Sequence, residues 1–178
     1  MAMQDGKNRS VGKLGHKSIA SNLIARYTSA MPSRKTPANL LHLDHQVCFA
    51  LYSASLAMTK VYQPLLAELG LTYPQYLVML ILWENDGIAV SAIGERLFLD
   101  SGTLTPLLKR LQAAGLVRRE RDSADERRVL VSLTETGRAL RSQAETIPPC
   151  VLQATGCSVP ELVELTGRLN SLRGHLAG

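Results

Sequence analysis

The chain has few of the features that would place it in a membrane or among disulfide-rich secreted proteins. Its densest apolar run, residues 77–83, is closed by Glu84 and Asp86, far short of the roughly 20 residues that a helix needs to cross a bilayer. The N-terminus has no apolar stretch typical of a signal peptide, and the three cysteines form no CxxC pair. We therefore expect a cytoplasmic protein whose thiols are structural or reactive rather than part of a disulfide framework.

Net positive charge is also nearly absent outside the N-terminal segment. Residues 1–40 hold seven Lys or Arg and one Asp, so the rest of the chain, with thirteen basic and fourteen acidic side chains, is close to neutral. This basic segment has no sustained apolar period, and we expect residues 1–38 to be a flexible extension. It is either an arm that holds DNA phosphates or a passive segment upstream of an alternative start at Met31, and we favour the second.

The body of the chain, of a length and composition that suit one core, is predicted to be mainly helical. Apolar periodicity and capping residues predict six helices. The first four cover about Asn39–Leu66, Thr72 to about Asp86, Ser91–Phe98, and an Asp100 or Ser101 cap to Ala114. The fifth begins after Thr134 and is interrupted at Pro148-Pro149, and the sixth begins at a capping box at Ser158. Period-2 alternation predicts two strands, Leu116–Glu120 and Arg128–Leu133, joined by a polar loop.

Two features of this order point to function. A helix, a tight turn, a second helix and a β-hairpin form a winged helix-turn-helix, whose second helix enters the major groove of DNA. The last helix carries a narrow leucine seam, which we interpret as a dimerisation face rather than only a core stripe; its members are Leu162, Leu165, Leu169, Leu172 and Leu176. We predict a mainly α fold in which residues 73–134 are the winged helix-turn-helix domain with an α/β wing, and N- and C-terminal helices, residues 39–72 and 135–178, form a dimerisation region.

The candidate DNA-binding residues lie on the second helix and on the wing. On the helix the N-terminal residues suit bases and the basic pair suits phosphates; the candidates are Ser101, Thr103, Thr105, Lys109 and Arg110. On the wing Arg127 is the residue we expect in a minor groove, with Asp125 orienting its guanidinium. Arg128 is then a phosphate or structural partner, although the two adjacent arginines are able to exchange these roles.

The sequence of this region resembles a known family. Residues 97–111, running from Leu97 through Asp100-Ser101-Gly102 to Leu111, and the wing Asp125-Glu126-Arg127-Arg128-Val129 are similar to the MarR family of repressors. Leu43 to Lys60, together with Leu71-Thr72-Tyr73-Pro74-Gln75-Tyr76, resembles its OhrR branch, the organic hydroperoxide-sensing repressors of the two-cysteine type. The resemblance runs from about residue 40 to the C-terminus, and it implies a homodimer that binds operator DNA when reduced.

By this resemblance Cys48 is the peroxidatic cysteine, which an organic hydroperoxide oxidises to a sulfenic acid. Tyr62 and Tyr73 match the two tyrosines that stabilise its thiolate. Because Tyr62 lies fourteen residues beyond Cys48, about 21 Å along a straight helix, contact requires the other subunit or a sharp bend. A helix that starts at Asp44 would add its dipole to the thiolate, whereas one that starts near Asn39 would leave Cys48 too deep.

The resemblance gives Cys150 the role of resolving cysteine, which closes a disulfide with Cys48 of the other chain. Cys157 is a possible substitute, and a small thiol is a third way to complete the disulfide. Bridging needs Cα atoms within about 7 Å, which the sequence does not reveal. We prefer Cys150.

Other functions were weighed against this one. A MarR-type repressor that responds to a small apolar or phenolic ligand, with Cys48 a bystander, is the main alternative. A thiol peroxidase is disfavoured, since its basic wing and recognition helix would have no purpose, and we expect no enzyme activity. His42, His45 and Cys48 are spaced by three residues but spread over about 120° of a helix surface, so we expect neither a metal nor a cofactor.

Overall fold

The computed structural model describes residues 41–178. Contacts within the chain group residues 50–178 into one unit, and residues 41–49 fall outside it. The predicted helix start at Asn39 and the N-terminal extension 1–38 lie outside the described residues. None of the helices in residues 41–178 is both long enough and apolar enough to cross a membrane.

The N-terminal helix begins later than the sequence suggests. Leu43–His45 form a single 3-10 turn, Gln46 is extended, and helix α1 then covers Val47–Ala67. Pro64 lies inside α1 rather than at its end. Cys48 is therefore the second residue of a helix, which is the position that the dipole argument requires.

The predicted winged helix-turn-helix domain follows α1. Its elements are α2 (Tyr73–Glu84), β1 (Ile88–Ala89), α3 (Val90–Leu97), α4 (Ser101–Ala113), β2 (Val117–Arg121) and β3 (Val129–Leu133). Thr72 and Gln75 form a capping box at the start of α2, and Pro74 sits in its first turn, where an N–H is not needed. The two predicted strands are present: the first is shifted by one residue, and the second begins one residue later and ends at Leu133 as predicted.

A third strand was not predicted. β1 pairs antiparallel with β3, with Ile88 opposite Val131, and β2 pairs with β3 on the other side, so that the sheet order is β1, β3, β2. A two-residue strand has no period of its own, and only its pairing defines it. The result is a winged helix-turn-helix, as the sequence predicts, with a three-stranded wing sheet.

The C-terminal part contains α5 (Glu135–Ala144), α6 (Ile147–Thr155) and α7 (Val159–Ala177). The prediction that Pro148-Pro149 interrupts a helix was wrong in detail, because the break falls at Glu145–Thr146 and the two prolines open α6. Proline suits the first turn of a helix because that turn has no use for its missing N–H. The Ser158 capping box with Glu161 is present at the start of α7.

The core lies between α2, α4, the sheet and the ends of α1 and α6. Its most buried side chains have almost no contact with solvent; they include Leu66, Val78, Met79, Leu82, Ile93, Leu104, Leu108, Leu111, Val131 and Ile147. Burial of this apolar surface holds α4 against the sheet. The predicted leucine seam of α7 is not part of this core: Leu165, Leu169 and Leu176 are exposed, while Leu162 and Leu172 are half-buried.

Candidate DNA-binding surface and redox site

The recognition helix α4 is fixed by an N-terminal cap. Asp100 accepts hydrogen bonds from the backbone N–H of Thr103 at 2.9 Å and from its hydroxyl at 3.0 Å. These bonds hold the pKa of Asp100 below its ordinary value, so the carboxylate stays ionised beside the positive end of the helix dipole. The hydroxyl of Thr103, a predicted base-reading residue, is thus bonded to the cap when the chain is free of DNA.

The two faces of α4 separate packing from the predicted DNA contacts. Leu104, Leu107, Leu108 and Leu111 are buried. The five predicted DNA-binding residues lie on the rest of the helix: Ser101, Thr103, Lys109 and Arg110 are exposed, and Thr105 is half-buried. Basic side chains therefore stand next to hydroxyl groups on one accessible surface, which is the chemistry that phosphates and base edges require.

The wing arginine is held by its neighbour. The Arg127 side chain is 91% exposed, and its Nε and Nη2 donate to the two carboxylate oxygens of Asp125 at 3.0 and 3.3 Å. This two-point contact, together with the Arg127 N–H, lowers the pKa of Asp125. A guanidinium held in this way keeps its direction while it stays open to solvent.

Arg128 is tied into the hairpin instead. Its Nη1 lies 3.6 Å from Asp122 Oδ2, and its backbone pairs with Asp122 and Asp125 across the loop. The structure thus distinguishes the two adjacent arginines, which the sequence left interchangeable: Arg127 projects, and Arg128 closes the loop.

Further basic residues line β2. Arg118 and Arg121 are exposed, and Arg119 is half-buried and donates to Gln112 of α4 at 2.9 Å. The sequence places these three arginines in a cluster of eight basic residues between positions 96 and 128, and this density of positive charge is the signal that would have selected them.

The three cysteines occupy different surroundings and are all free thiols. Cys48 is exposed at the start of α1, and Cys150 is exposed in the first turn of α6. Cys157 is half-buried after α6, where its Sγ donates to the carbonyl oxygen of Thr155 at 3.6 Å. Exposure makes Cys150 the more accessible of the two candidate partners for Cys48.

The structure brings the two predicted tyrosines together. The rings of Tyr62 and Tyr73 lie 4.7 Å apart, although eleven positions separate them in the chain. Burial, followed by the neighbouring phenols of Tyr73 and Tyr76, raises the pKa of Tyr62 to about 12. Tyr62 is therefore a protonated donor at any physiological pH.

Tyr76 joins this pair and was missed by the sequence analysis. It is 3% exposed, its ring lies 6.0 Å from that of Tyr62, and burial raises its pKa. Its other neighbour is Trp83, with ring centroids 6.3 Å apart in an edge arrangement. An aromatic row thus runs along α2 from its first turn to its last.

A small cavity lies beside this row. Its volume is about 230 Å³, and its walls include Tyr76, Leu80, Trp83, Arg141 and Pro148. Arg141 donates to the carbonyl oxygen of Trp83 at 3.4 Å and is otherwise exposed. Glu84 and Glu145 also line it, so the cavity combines apolar walls with one cation and two carboxylates.

Comparison with known proteins relates the chain to transcriptional regulators. Residues 60–143 match the family model described as transcriptional regulator SarA/Rot. The chain is 53% identical over 134 residues to the HTH-type transcriptional regulator TtmR of Methylorubrum extorquens, over 75% of this chain and 69% of that protein. It is 48% identical over 132 residues to the organic hydroperoxide resistance transcriptional regulator of Bacillus subtilis, over 74% and 90% of the two chains.

Solved structures agree with these relatives. Reduced AbfR bound to DNA is 35% identical with a TM-score of 0.63, over 76% of this chain and 95% of that one. Disulfide-formed AbfR is 32% identical with a TM-score of 0.53, over 88% and 96%. AbfR is a protein of Staphylococcus epidermidis. With this fold and these identities, the chain belongs to the MarR family of winged-helix transcriptional regulators, in the branch of the organic hydroperoxide resistance regulators.

Proposed function

We propose that this regulator is a homodimeric repressor that binds operator DNA when Cys48 is reduced and releases it when an organic hydroperoxide oxidises that thiol. The observation that carries the proposal is the position of Cys48, an exposed thiol in the first turn of a helix, in a chain that also holds a complete winged helix-turn-helix. Such a regulator would work in the cytoplasm, where its operator is.

The first step is a two-electron oxidation of sulfur. The Cys48 thiolate attacks the terminal oxygen of the hydroperoxide, the O–O bond breaks, and the alkoxide leaves as an alcohol after taking up a proton. Cys48 becomes a sulfenic acid. The helix N-terminus favours the thiolate, which is the reactive form.

Tyr62 and Tyr73 are proposed to donate hydrogen bonds to this thiolate from the other subunit. Two phenol donors stabilise the charged form of a thiol by hydrogen bonding to it. The raised pKa of Tyr62 supports this role, because a phenol that stays protonated remains a donor.

The second step is proposed to join the subunits. The thiolate of Cys150 of the partner subunit attacks the Cys48 sulfur, an S–S bond forms as the S–O bond breaks, and the sulfenic oxygen leaves as hydroxide, which takes up a proton to become water. Cys157 is the substitute if Cys150 does not reach. The bridge would change the spacing of the two DNA-binding units and thereby weaken operator binding.

A dimer is supported by apolar surface that the single chain leaves uncovered. Large apolar side chains on α1 and on α7 are exposed and lie outside the core; they are Val47, Leu51, Leu56, Val163, Leu165, Leu169 and Leu176. Surfaces of this kind mark contacts between proteins. We assign them to a second copy of the chain.

In the dimer, two copies of α4 and two wings would contact successive turns of a pseudo-palindromic operator. Ser101, Thr103 and Thr105 are proposed to read bases, and Lys109 and Arg110 to contact phosphates. Arg127, oriented by Asp125, is the residue proposed to enter the minor groove.

The proposal is tested by operator binding and non-reducing electrophoresis, before and after one equivalent of cumene hydroperoxide. We expect a dimer-sized band and release of DNA for the wild type and for Cys157→Ser. Cys48→Ser should show neither response, and Cys150→Ser should lack the band. Operator release by Cys48→Ser, or equal affinity of the wild type before and after oxidation, would refute the mechanism.

The cavity beside Trp83 favours a second candidate function, a response to a small phenolic ligand. Its volume of about 230 Å³ is a little below the roughly 300–1,000 Å³ of small-molecule sites, which suits a single ring, and its carboxylates Glu84 and Glu145 are able to accept from a phenol hydroxyl. Phenol is the probe: weaker operator binding by Cys48→Ser in its presence, abolished by Glu145→Ala, would support this function. Unchanged operator binding by Cys48→Ser in the presence of phenol would count against it.

A further inference from the structure

The carboxylate of Asp86 joins three elements at the base of the wing. Oδ1 accepts from the backbone N–H of Gly87 at 2.9 Å and of Leu133 at 2.7 Å, and Oδ2 accepts from Nη2 of Arg138 at 2.7 Å. Asp86 follows α2, Leu133 is the last residue of β3, and Arg138 lies in the first turn of α5. One side chain thus connects a core helix, the wing and the helix that leads to α6.

The hydrogen bond from Leu133 to Asp86 lies where the backbone pairing of β1 with β3 would continue if the strand were longer. Ile88 pairs with Val131, so two more pairs in the same antiparallel register would place Asp86 opposite Leu133. Gly87, with a φ of 73°, turns the chain out of the strand conformation, and the ladder cannot extend. The carboxylate of Asp86 takes the N–H of Leu133 in place of a backbone carbonyl.

The hydrogen bonds at Asp86 are made by a charged carboxylate. Burial acts to raise the pKa of Asp86, but the hydrogen bonds from Leu133, Arg138 and Gly87 outweigh it and lower the pKa. The carboxylate is therefore ionised at neutral pH. A charge-assisted hydrogen bond is stronger than a neutral one, so Asp86 holds the wing base more strongly than a neutral side chain would.

The wing amplifies any change of angle at this base. β3 is five residues long, and at about 3.3 Å per residue its far end lies roughly 13 Å from Leu133. A rotation of about 10° at the base would displace the far end by about 2 Å. A displacement of this size takes a guanidinium out of hydrogen-bond reach.

We propose that Asp86 is a positioning residue for DNA binding: it fixes the angle of the wing so that Arg127 reaches the minor groove. This inference rests on the proposed function, in which Arg127 contacts DNA. Asp86 binds both Arg138 of α5 and Leu133 of the wing. A movement of α5 is therefore transmitted through Asp86 to the wing.

A double-mutant cycle tests the coupling with reduced protein and operator DNA. In the wild-type background we expect Arg127→Ala to weaken binding about tenfold, the loss of one good contact. In the Asp86→Asn background the same change should weaken binding less than about threefold, because the wing is already misplaced. A full tenfold loss there would overturn the proposal, since independent effects multiply.

Glu84→Gln is the matched control. Glu84 stands two residues before Asp86 and also pairs with an arginine, Arg96, at 2.6 Å, but this pair holds α3 and not the wing. Arg127→Ala should retain its full effect in this background. If Asp86→Asn does not fold, Arg138→Gln enters the cycle in its place with the same expected loss of coupling.

A second measurement separates this inference from the proposed function. If Arg127→Ala leaves operator affinity unchanged in the wild type, the proposed wing contact is wrong. The Asp86 contact is then judged by amide hydrogen exchange, in which Asp86→Asn must speed the exchange of Leu133 at least fivefold relative to Glu84→Gln. Equal exchange rates in the two variants would refute the role of Asp86 in holding the wing.

Discussion

A methyl group at Gly137 is predicted to separate α5 from the wing sheet. Gly137 lies in the first turn of α5, and a Cβ there would overlap the carbonyl oxygen of Leu116 while lying 3.3 Å from Cδ2 of Leu133. The oxygen belongs to the backbone, and Leu116 also accepts from the N–H of Thr134, so it cannot rotate away. Only movement of α5 as a whole relieves the overlap.

The expected cost of Gly137→Ala is about 3 kcal/mol or more, the upper range for overpacking against an unyielding neighbour. For a chain of this size that corresponds to a melting temperature about 6–12 °C lower. The measurement is thermal unfolding followed by circular dichroism, at a protein concentration that keeps the oligomeric state constant.

Gly167→Ala is the control for helix propensity. Gly167 lies inside α7, on the side opposite the leucine seam, and a Cβ there meets nothing within 4 Å. Alanine should therefore stabilise the chain by about 0.5–1 kcal/mol. If Gly137→Ala melts at or above the wild-type temperature, the close packing of α5 on Leu116 is wrong.

Three further predictions concern the titration, the capping and the charge of single residues. Tyr62 has a folded pKa of about 12 against an ordinary 10.0, so its contribution to stability is present below pH 10 and is lost as pH rises through about 12; Tyr62→Phe should remove this loss in denaturant titrations, and an unchanged alkaline profile would contradict the assignment. Thr134 caps α5 by accepting from Gly137 N–H at 3.0 Å and donates to Gly115 O at 2.6 Å; Thr134→Ala should cost about 1–2 kcal/mol in chemical unfolding, whereas Thr134→Ser should cost little, and equal losses would argue against the hydroxyl. Lys109→Ala should reduce the slope of log K against log salt by about 1, and a change in affinity without a change in slope would mean that Lys109 contacts no phosphate.

Local patterns in the sequence predicted most of the fold. The caps at Thr72, Asp100 and Ser158 are local signals, each formed by residues within three positions of one another, and they placed α2, α4 and α7 to within about two residues. Alternation predicted the hairpin for the same reason. The strand Ile88–Ala89 was missed because its pairing with β3 lies more than forty residues away.

In the candidate site, too, contacts between residues close in sequence were predictable and contacts between distant residues were not. Asp125 and Arg127 are two residues apart, so their contact was foreseeable from the loop alone. Asp86 was not a candidate, because its partners Leu133 and Arg138 are 47 and 52 positions away. The role of Tyr76 was hidden as well, since an apolar helix such as α2 gives no local signal that one of its rings will meet Tyr62.

The indole of Trp83 gives the molecule a built-in spectroscopic probe. Trp83 is the only tryptophan of the sequence, and its Nε1 donates to the carbonyl oxygen of Gly137 at 2.9 Å, across 54 positions. Indole emission depends on whether this donor is bonded to protein or to water, and no other residue contributes to it. Intrinsic fluorescence of the unlabelled chain therefore reports the junction between α2 and α5, and it can be followed in real time during operator or peroxide titrations.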